Sequence, residues 1–92
     1  MAKFEEIQRA RKVLDLQESA SMAEIDEAYR KKANLYHPDK GGSEEMMKEI
    51  NQAYRLLMDY CNRYIYVFSK EDWARAYPEE AYFAWVIENW KF

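Results

Sequence analysis

Glycine and proline, the strongest breakers of regular structure, number only two each in 92 residues. They fall in two places: Pro38, Gly41 and Gly42 form one break, and Pro78 forms the other. Period-2 alternation of apolar and polar residues is nearly absent. A chain so rarely interrupted and so poor in strand patterning is constrained to a few helical runs, which makes the expected class all-α.

The helices can be placed from their spacing and their caps. Ile7, Ala10, Val13 and Leu14 recur at steps of three and four and predict a first helix over about residues 3–15. Gln17 to Ala20 reads as a connection. Ser21-Met22-Ala23-Glu24 has the form of a capping box, so a second helix begins there. Its apolar stripe is Ile25, Ala28, Tyr29, Ala33, Leu35 and Tyr36, with Lys32 laying its stem along the stripe and its ammonium toward water. Pro38 disfavours helical geometry at His37, which stops this helix near Tyr36. Ser43 caps a third helix with Glu44 and Glu45 in its first turn and Met47, Ile50, Tyr54, Leu57, Cys61 and Tyr64 on its buried side. Nothing interrupts that pattern before Phe68, so the third helix is expected to run past residue 62. Ser69 caps a short fourth helix, and Pro78 suits the first turn of a fifth.

A chain that is 49% apolar in 92 residues supports one compact unit with a small core. Its net charge of −3 withholds the positive field that nucleic-acid binders use, so no nucleic acid is expected as partner. The longest apolar run, Tyr64 to Phe68, is far short of the roughly 20 residues that span a bilayer, and the charged N-terminus does not read as a signal peptide. A single cysteine excludes an internal disulfide. The expectation is a soluble protein of the cytoplasm, with no membrane partner and no cofactor.

Between the second and third helices stands His37-Pro38-Asp39-Lys40, a rigid charged turn. Together with Lys12-Val13-Leu14-Asp15-Leu16, Ala28-Tyr29-Arg30-Lys31-Lys32-Ala33 and Lys48-Glu49-Ile50-Asn51-Gln52-Ala53-Tyr54, it resembles the J-domain of the DnaJ co-chaperone family over roughly residues 9–60. The bare tripeptide His-Pro-Asp recurs by chance; framed by two helices at these spacings it is specific. The resemblance implies an antiparallel helical hairpin preceded by a short helix, with one or two extra helices after it. It further implies that the turn docks on a DnaK-type heat shock protein 70 and stimulates ATP hydrolysis there, the chain itself not being an enzyme. His37, Pro38 and Asp39 would make the contact, supported by Tyr29, Arg30, Lys31, Lys40 and Lys48. The chemistry is consistent: Pro38 removes backbone freedom, and Asp39 offers an acceptor for a charge-assisted hydrogen bond. As neither a glycine/phenylalanine-rich linker nor cysteine repeats follow, the resemblance is to the reduced, J-domain-only members.

Two features depart from the family. Where it has basic residues in helix two, this chain has Asp26 and Glu27, set four residues before Arg30 and Lys31 and so expected to pair with them at ~0.2–0.5 kcal/mol each. Met47 stands where the family often has Phe. As a metal ligand or catalytic base His37 lacks support, being the one histidine with no Cys/His cluster near it. Residues 1–62 read as the J-domain and 63–92 as an aromatic extension on or beside it, holding ten of the fifteen aromatic residues, Phe92 among them. Folding back over Leu56 and Tyr60 is one expectation for that extension. The other is an exposed patch for a client, an adaptor or a second copy, which makes a J-like scaffold without chaperone stimulation the rival function.

Overall fold

The structure, a computed structural model, describes residues 3–90. Its helices are α1 (Phe4–Val13), α2 (Met22–Tyr36), α3 (Glu44–Asn62), α4 (Lys70–Ala76) and α5 (Pro78–Asn89), with a 3₁₀ turn at Pro38–Lys40. The described residues contain no strand.

Helices α2, α3 and α4 start at their serine caps. Ser21 Oγ accepts from the Glu24 amide at 3.1 Å while Glu24 Oε1 accepts from the Ser21 amide at 3.0 Å, closing the box. The Ser21 amide first, and the Ser21 hydroxyl beside it, hold the Glu24 carboxyl below its ordinary value. Ser43 Oγ accepts from the Met46 amide at 3.3 Å, and Ser69 Oγ from the Asp72 amide at 3.2 Å. Pro78 occupies the first position of α5, where its missing N–H costs nothing.

The end of α1 explains the Lys12-Val13-Leu14-Asp15-Leu16 segment. Asp15 sits in the left-handed region with φ 55°. The Leu16 amide reaches back to Arg11 O at 3.0 Å and the Asp15 amide to Lys12 O at 3.0 Å, the two bonds of a Schellman stop. Asp tolerates that conformation better than most side chains because it is short and polar. Its carboxylate then takes Lys32 Nζ of α2 at 2.7 Å, so the Lys32 ammonium ends on Asp15 rather than in water, 5.9 Å from the centre of the Tyr36 ring. That bond raises the Lys32 pKa above its ordinary value.

Both α1 and α2 pack on α3, and the core is where they meet: Ala10 and Leu14 from α1 and its stop, Ile25 from α2, and Ile50, Ala53 and Leu57 from α3. Leu14 and Ile50 are the largest fully buried side chains, each stabilising the fold by roughly 1.5–3 kcal/mol relative to exposure. Cys61 packs half-buried at the edge of this core.

α3 stops at Asn62, short of the expected extension. Its last turn tightens, with Arg63 and Tyr64 amides reaching Tyr60 O and Cys61 O at 3.2 Å. Tyr64-Ile65-Tyr66-Val67 then joins β-branched to aromatic residues, which lose χ1 freedom in a helix, and the chain runs irregularly to Ser69. Beyond it α4 and α5 pack on each other. Leu56 borders a shallow cavity against α1, and Tyr60 stays exposed, its ring edge-on to Tyr64 at 5.5 Å. The radius of gyration is 19.1 Å, against about 12 Å for a compact chain of this length, so the described residues form an extended body. Phe92 lies outside the described residues.

Candidate functional site

The turn between α2 and α3 is closed by its own backbone. His37 takes the extended conformation (φ −61°, ψ 130°) that a following proline imposes. Its carbonyl accepts from the Lys40 amide at 2.9 Å and the Gly42 amide at 3.0 Å, while the Gly41 amide reaches Pro38 O at 3.1 Å. The imidazole caps the same turn, Nδ1 accepting from the Asp39 amide at 3.2 Å. In that arrangement Nδ1 bears no proton, so its 3.8 Å separation from Asp39 Oδ2 is not an ion pair, and Nε2–H is the ring's free donor.

The two glycines have different tasks. Gly41 adopts φ +80°, which side chains other than glycine's take at a cost, and nothing crowds its missing Cβ. Gly42 is held by sterics: a Cβ there would fall on the Tyr36 carbonyl group and 2.6 Å from its Cα. The chain must pass this close to the end of α2 to enter α3.

A polar clasp joins the two long helices behind the turn. Tyr29 donates to Asn51 Oδ1 at 2.7 Å, Tyr54 donates to Asp26 Oδ1 at 2.5 Å, and the two rings stack 4.4 Å apart at 29°. Stepping forward on α2 from 26 to 29 while stepping back on α3 from 54 to 51 is the register of an antiparallel hairpin. The hydrogen bond to Asp26, reinforced by desolvation, pushes the Tyr54 phenol above its ordinary pKa. Asp26 therefore serves the hairpin, and the expected Asp26–Arg30 and Glu27–Lys31 pairs do not form. A cross-helix bond to a half-buried hydroxyl replaces an exposed helix-surface pair worth only tenths of a kcal/mol.

The structure brings the sequence-predicted residues together unevenly. His37, Pro38, Asp39 and Lys40 form one exposed tip, and Lys48 joins Pro38, Met47 and Asn51 in lining a shallow groove of about 380 Å³. Arg30 and Lys31 are exposed on α2, about 10 Å of helix away from His37, with no ion-pair partner among the described residues. Tyr29 stands apart: its hydroxyl is committed to Asn51 and its ring to Tyr54. Sequence reasoning gave no role to Asn51 or to the Asp15–Lys32 link, and it placed Tyr54 in the apolar stripe without seeing its polar end. The usable signal was a polar residue and a tyrosine three apart on α3, opposite an acid and a tyrosine three apart on α2.

The DnaJ domain family model matches residues 11–66, spanning α2, the turn and α3. The chain is 48% identical over 58 residues to Chaperone protein DnaJ of Wolinella succinogenes, covering 59% of this chain and 16% of that protein. It is 48% identical over 60 residues to Chaperone protein dnaJ A6 of Oryza sativa subsp. japonica, covering 65% and 14%. To the tetratricopeptide repeat and J domain-containing co-chaperone DNJ1 of Mycosarcoma maydis it is 52% identical over 48 residues, covering 52% and 8%. The matched region is thus a small part of each of these relatives. No solved structure matches the chain. The helical hairpin, its His-Pro-Asp tip and the extent of the family match agree, and the chain belongs to the DnaJ domain family.

Proposed function

We propose that this chain is a co-chaperone, not itself an enzyme, that docks on an ATP-bound DnaK-type heat shock protein 70 and stimulates its ATP hydrolysis. One observation supports this reading above the others: the His-Pro-Asp turn satisfies its own backbone, yet leaves the Asp39 carboxylate 89% exposed with no Lys or Arg partner among the described residues. Such a carboxylate is a ready acceptor for an arginine on a partner, and the closed turn loses little entropy on docking. His37 contributes its free Nε2–H, Lys40 and Lys48 flank the tip, and Arg30 and Lys31 present unpaired charge along α2. Tyr29 acts by holding the hairpin in register. Residues 1–62 are assigned to the docking unit and 63–92 to the aromatic-rich extension. The site of action is the cytoplasm, and no helix among the described residues is long and apolar enough to cross a membrane.

Binding of the chain to an ATP-loaded DnaK-type chaperone, compared with Asp39→Asn, tests the reading. Truncating one member of a partly buried charged pair costs about 2–5 kcal/mol, so affinity should fall at least about 30-fold. Equal affinity for both proteins would refute it. The rival reading, a J-like scaffold working through its aromatic extension, is favoured by one observation: Ile65 and Phe68 are almost fully exposed. Removing residues 69–92 separates the two, because chaperone stimulation survives the deletion only if the turn is the working site.

A further inference from the structure

Most of the large apolar surface on this protein lies after α3. Eight aromatic residues between Tyr64 and Trp85 are 38% to 96% exposed, with Ile65 and Ile87 beside them. At ~150–250 Å² per aromatic side chain, their exposed parts come to on the order of 1,000 Å². The largest apolar patch on a typical monomer is ~300–600 Å². A stable interface takes ~800 Å² from each partner, the same order as the summed exposed area of these side chains.

Among the described residues, Tyr64 meets Tyr60 and Tyr66 reaches Met22, but most of this surface is left uncovered. At 100° per residue Trp85, Tyr82, Val86, Phe83 and Ile87 span an arc of roughly 200° on α5. The helix packed on it, α4, has only 7 residues, about 10 Å of length, and leaves that arc open. The charge of the region narrows the choice of occupant. Between residues 64 and 90, Lys70 and Arg75 face Glu71, Asp72, Glu79, Glu80 and Glu88, a net acidic set that repels anionic lipid headgroups and nucleic-acid phosphates. The stretch Ala81 to Ile87 bears no charge, so two copies meeting there bring no like charges together. A second copy is also the one occupant present wherever the chain is.

We propose that the uncharged stretch Ala81–Ile87 of α5, together with the segment 64–68, forms an isologous interface with a second copy of this chain. The 19 residues of α3 place about 28 Å of helix between that interface and the His-Pro-Asp turn, so both turns of the dimer remain accessible. The dimer stands whether or not the turn docks a chaperone.

Sedimentation equilibrium of the full chain from ~1 to ~100 μM tests it, the expected dissociation constant lying in the micromolar range. The expected species at the upper end has twice the 11.2 kDa chain mass. The double variant Phe83→Glu/Trp85→Glu should sediment at the single-chain mass, with the helical circular dichroism of α1 to α3 retained. Leu35→Glu, at an exposed apolar site on α2, should remain dimeric. A second readout needs no variant: all three tryptophans lie between residues 73 and 90, so diluting the wild-type chain should shift their emission to the red. A wild-type chain at single mass throughout, a double variant of unchanged mass, a monomeric Leu35→Glu or an emission spectrum unmoved by dilution would each overturn the proposal.

Discussion

Replacing Gly42 by alanine should damage the hairpin more than the same change one residue earlier, although Gly41 is the glycine with the unusual backbone angle. A Cβ at position 42 meets the carbonyl group and Cα of Tyr36, which are helix backbone and cannot swing aside as a side-chain tip can. Relief requires the start of α3 to move about 1 Å, which breaks the 3.0 Å bond from the Gly42 amide to His37 O. The lost bond costs about 1 kcal/mol and the overpacking about 1–3 kcal/mol, giving a loss of ~2–4 kcal/mol. At position 41 the added methyl meets nothing, and the loss is the ~1–2 kcal/mol of placing alanine in the left-handed region. Both substitutions restrict the unfolded chain equally, so that contribution cancels in the comparison. For a domain of this size 1 kcal/mol moves the melting temperature by roughly 4–8 °C, so Gly42→Ala should melt at least about 8 °C below wild type. Thermal melts followed by circular dichroism at 222 nm provide the assay. If Gly42→Ala melts with the wild type, or above Gly41→Ala, the close approach to α2 is not what shapes the turn.

Tyr54→Phe leaves half-buried Asp26 without its donor and should lower the urea midpoint at unchanged slope. Because the folded Tyr54 pKa is raised, its contribution is complete below the unfolded tyrosine value and declines as pH rises through the folded one. The wild-type advantage over Tyr54→Phe should therefore shrink in alkaline melts, beginning near the ordinary tyrosine pKa. Glu24 has the opposite sign: its folded pKa is depressed, so its contribution is present above the unfolded value and lost as pH falls through the folded one. The melting difference between wild type and Glu24→Gln should accordingly vanish in acid, and a constant difference would contradict the capping role. Glu27→Lys reverses an exposed, unpaired acid on the α2 face without touching the hairpin clasp, and it should raise the association rate with the chaperone in a salt-dependent way. Asp26→Lys would be a poor substitute, since it also removes the acceptor of Tyr54.

The parts of this molecule governed by neighbours in sequence could be read from the sequence. Ser21 with Glu24, Ser43, Ser69, Pro78 and the Pro38–Gly42 break each act within four residues of themselves, and the helix starts fall where these residues put them. Contacts between elements were less legible. Asp26 had a plausible local partner four residues on in Arg30, but α3 brought the Tyr54 hydroxyl, and a cross-helix bond outcompeted an exposed helix-surface pair. Lys32 similarly found Asp15 because the Schellman stop turns that carboxylate toward α2. The end of α3 was missed because no breaker marks it: Tyr64-Ile65-Tyr66-Val67 fits an apolar helical stripe as well as an irregular run, and weak helix propensity decided the outcome. At the turn, the exposed His-Pro-Asp tip was readable from its frame, while the reason for the second glycine became visible only once the end of α2 was in place beside it.

Single-turnover ATP hydrolysis by a DnaK-type chaperone, measured alone, with this chain and with His37→Gln, tests the central claim most directly. The substitution alters the ring that caps the turn and presents Nε2–H, and circular dichroism confirms whether the helices are retained. The account predicts that the wild-type chain accelerates hydrolysis and that His37→Gln, still helical, leaves it near the basal rate. Acceleration by both proteins alike, or by neither, would contradict it.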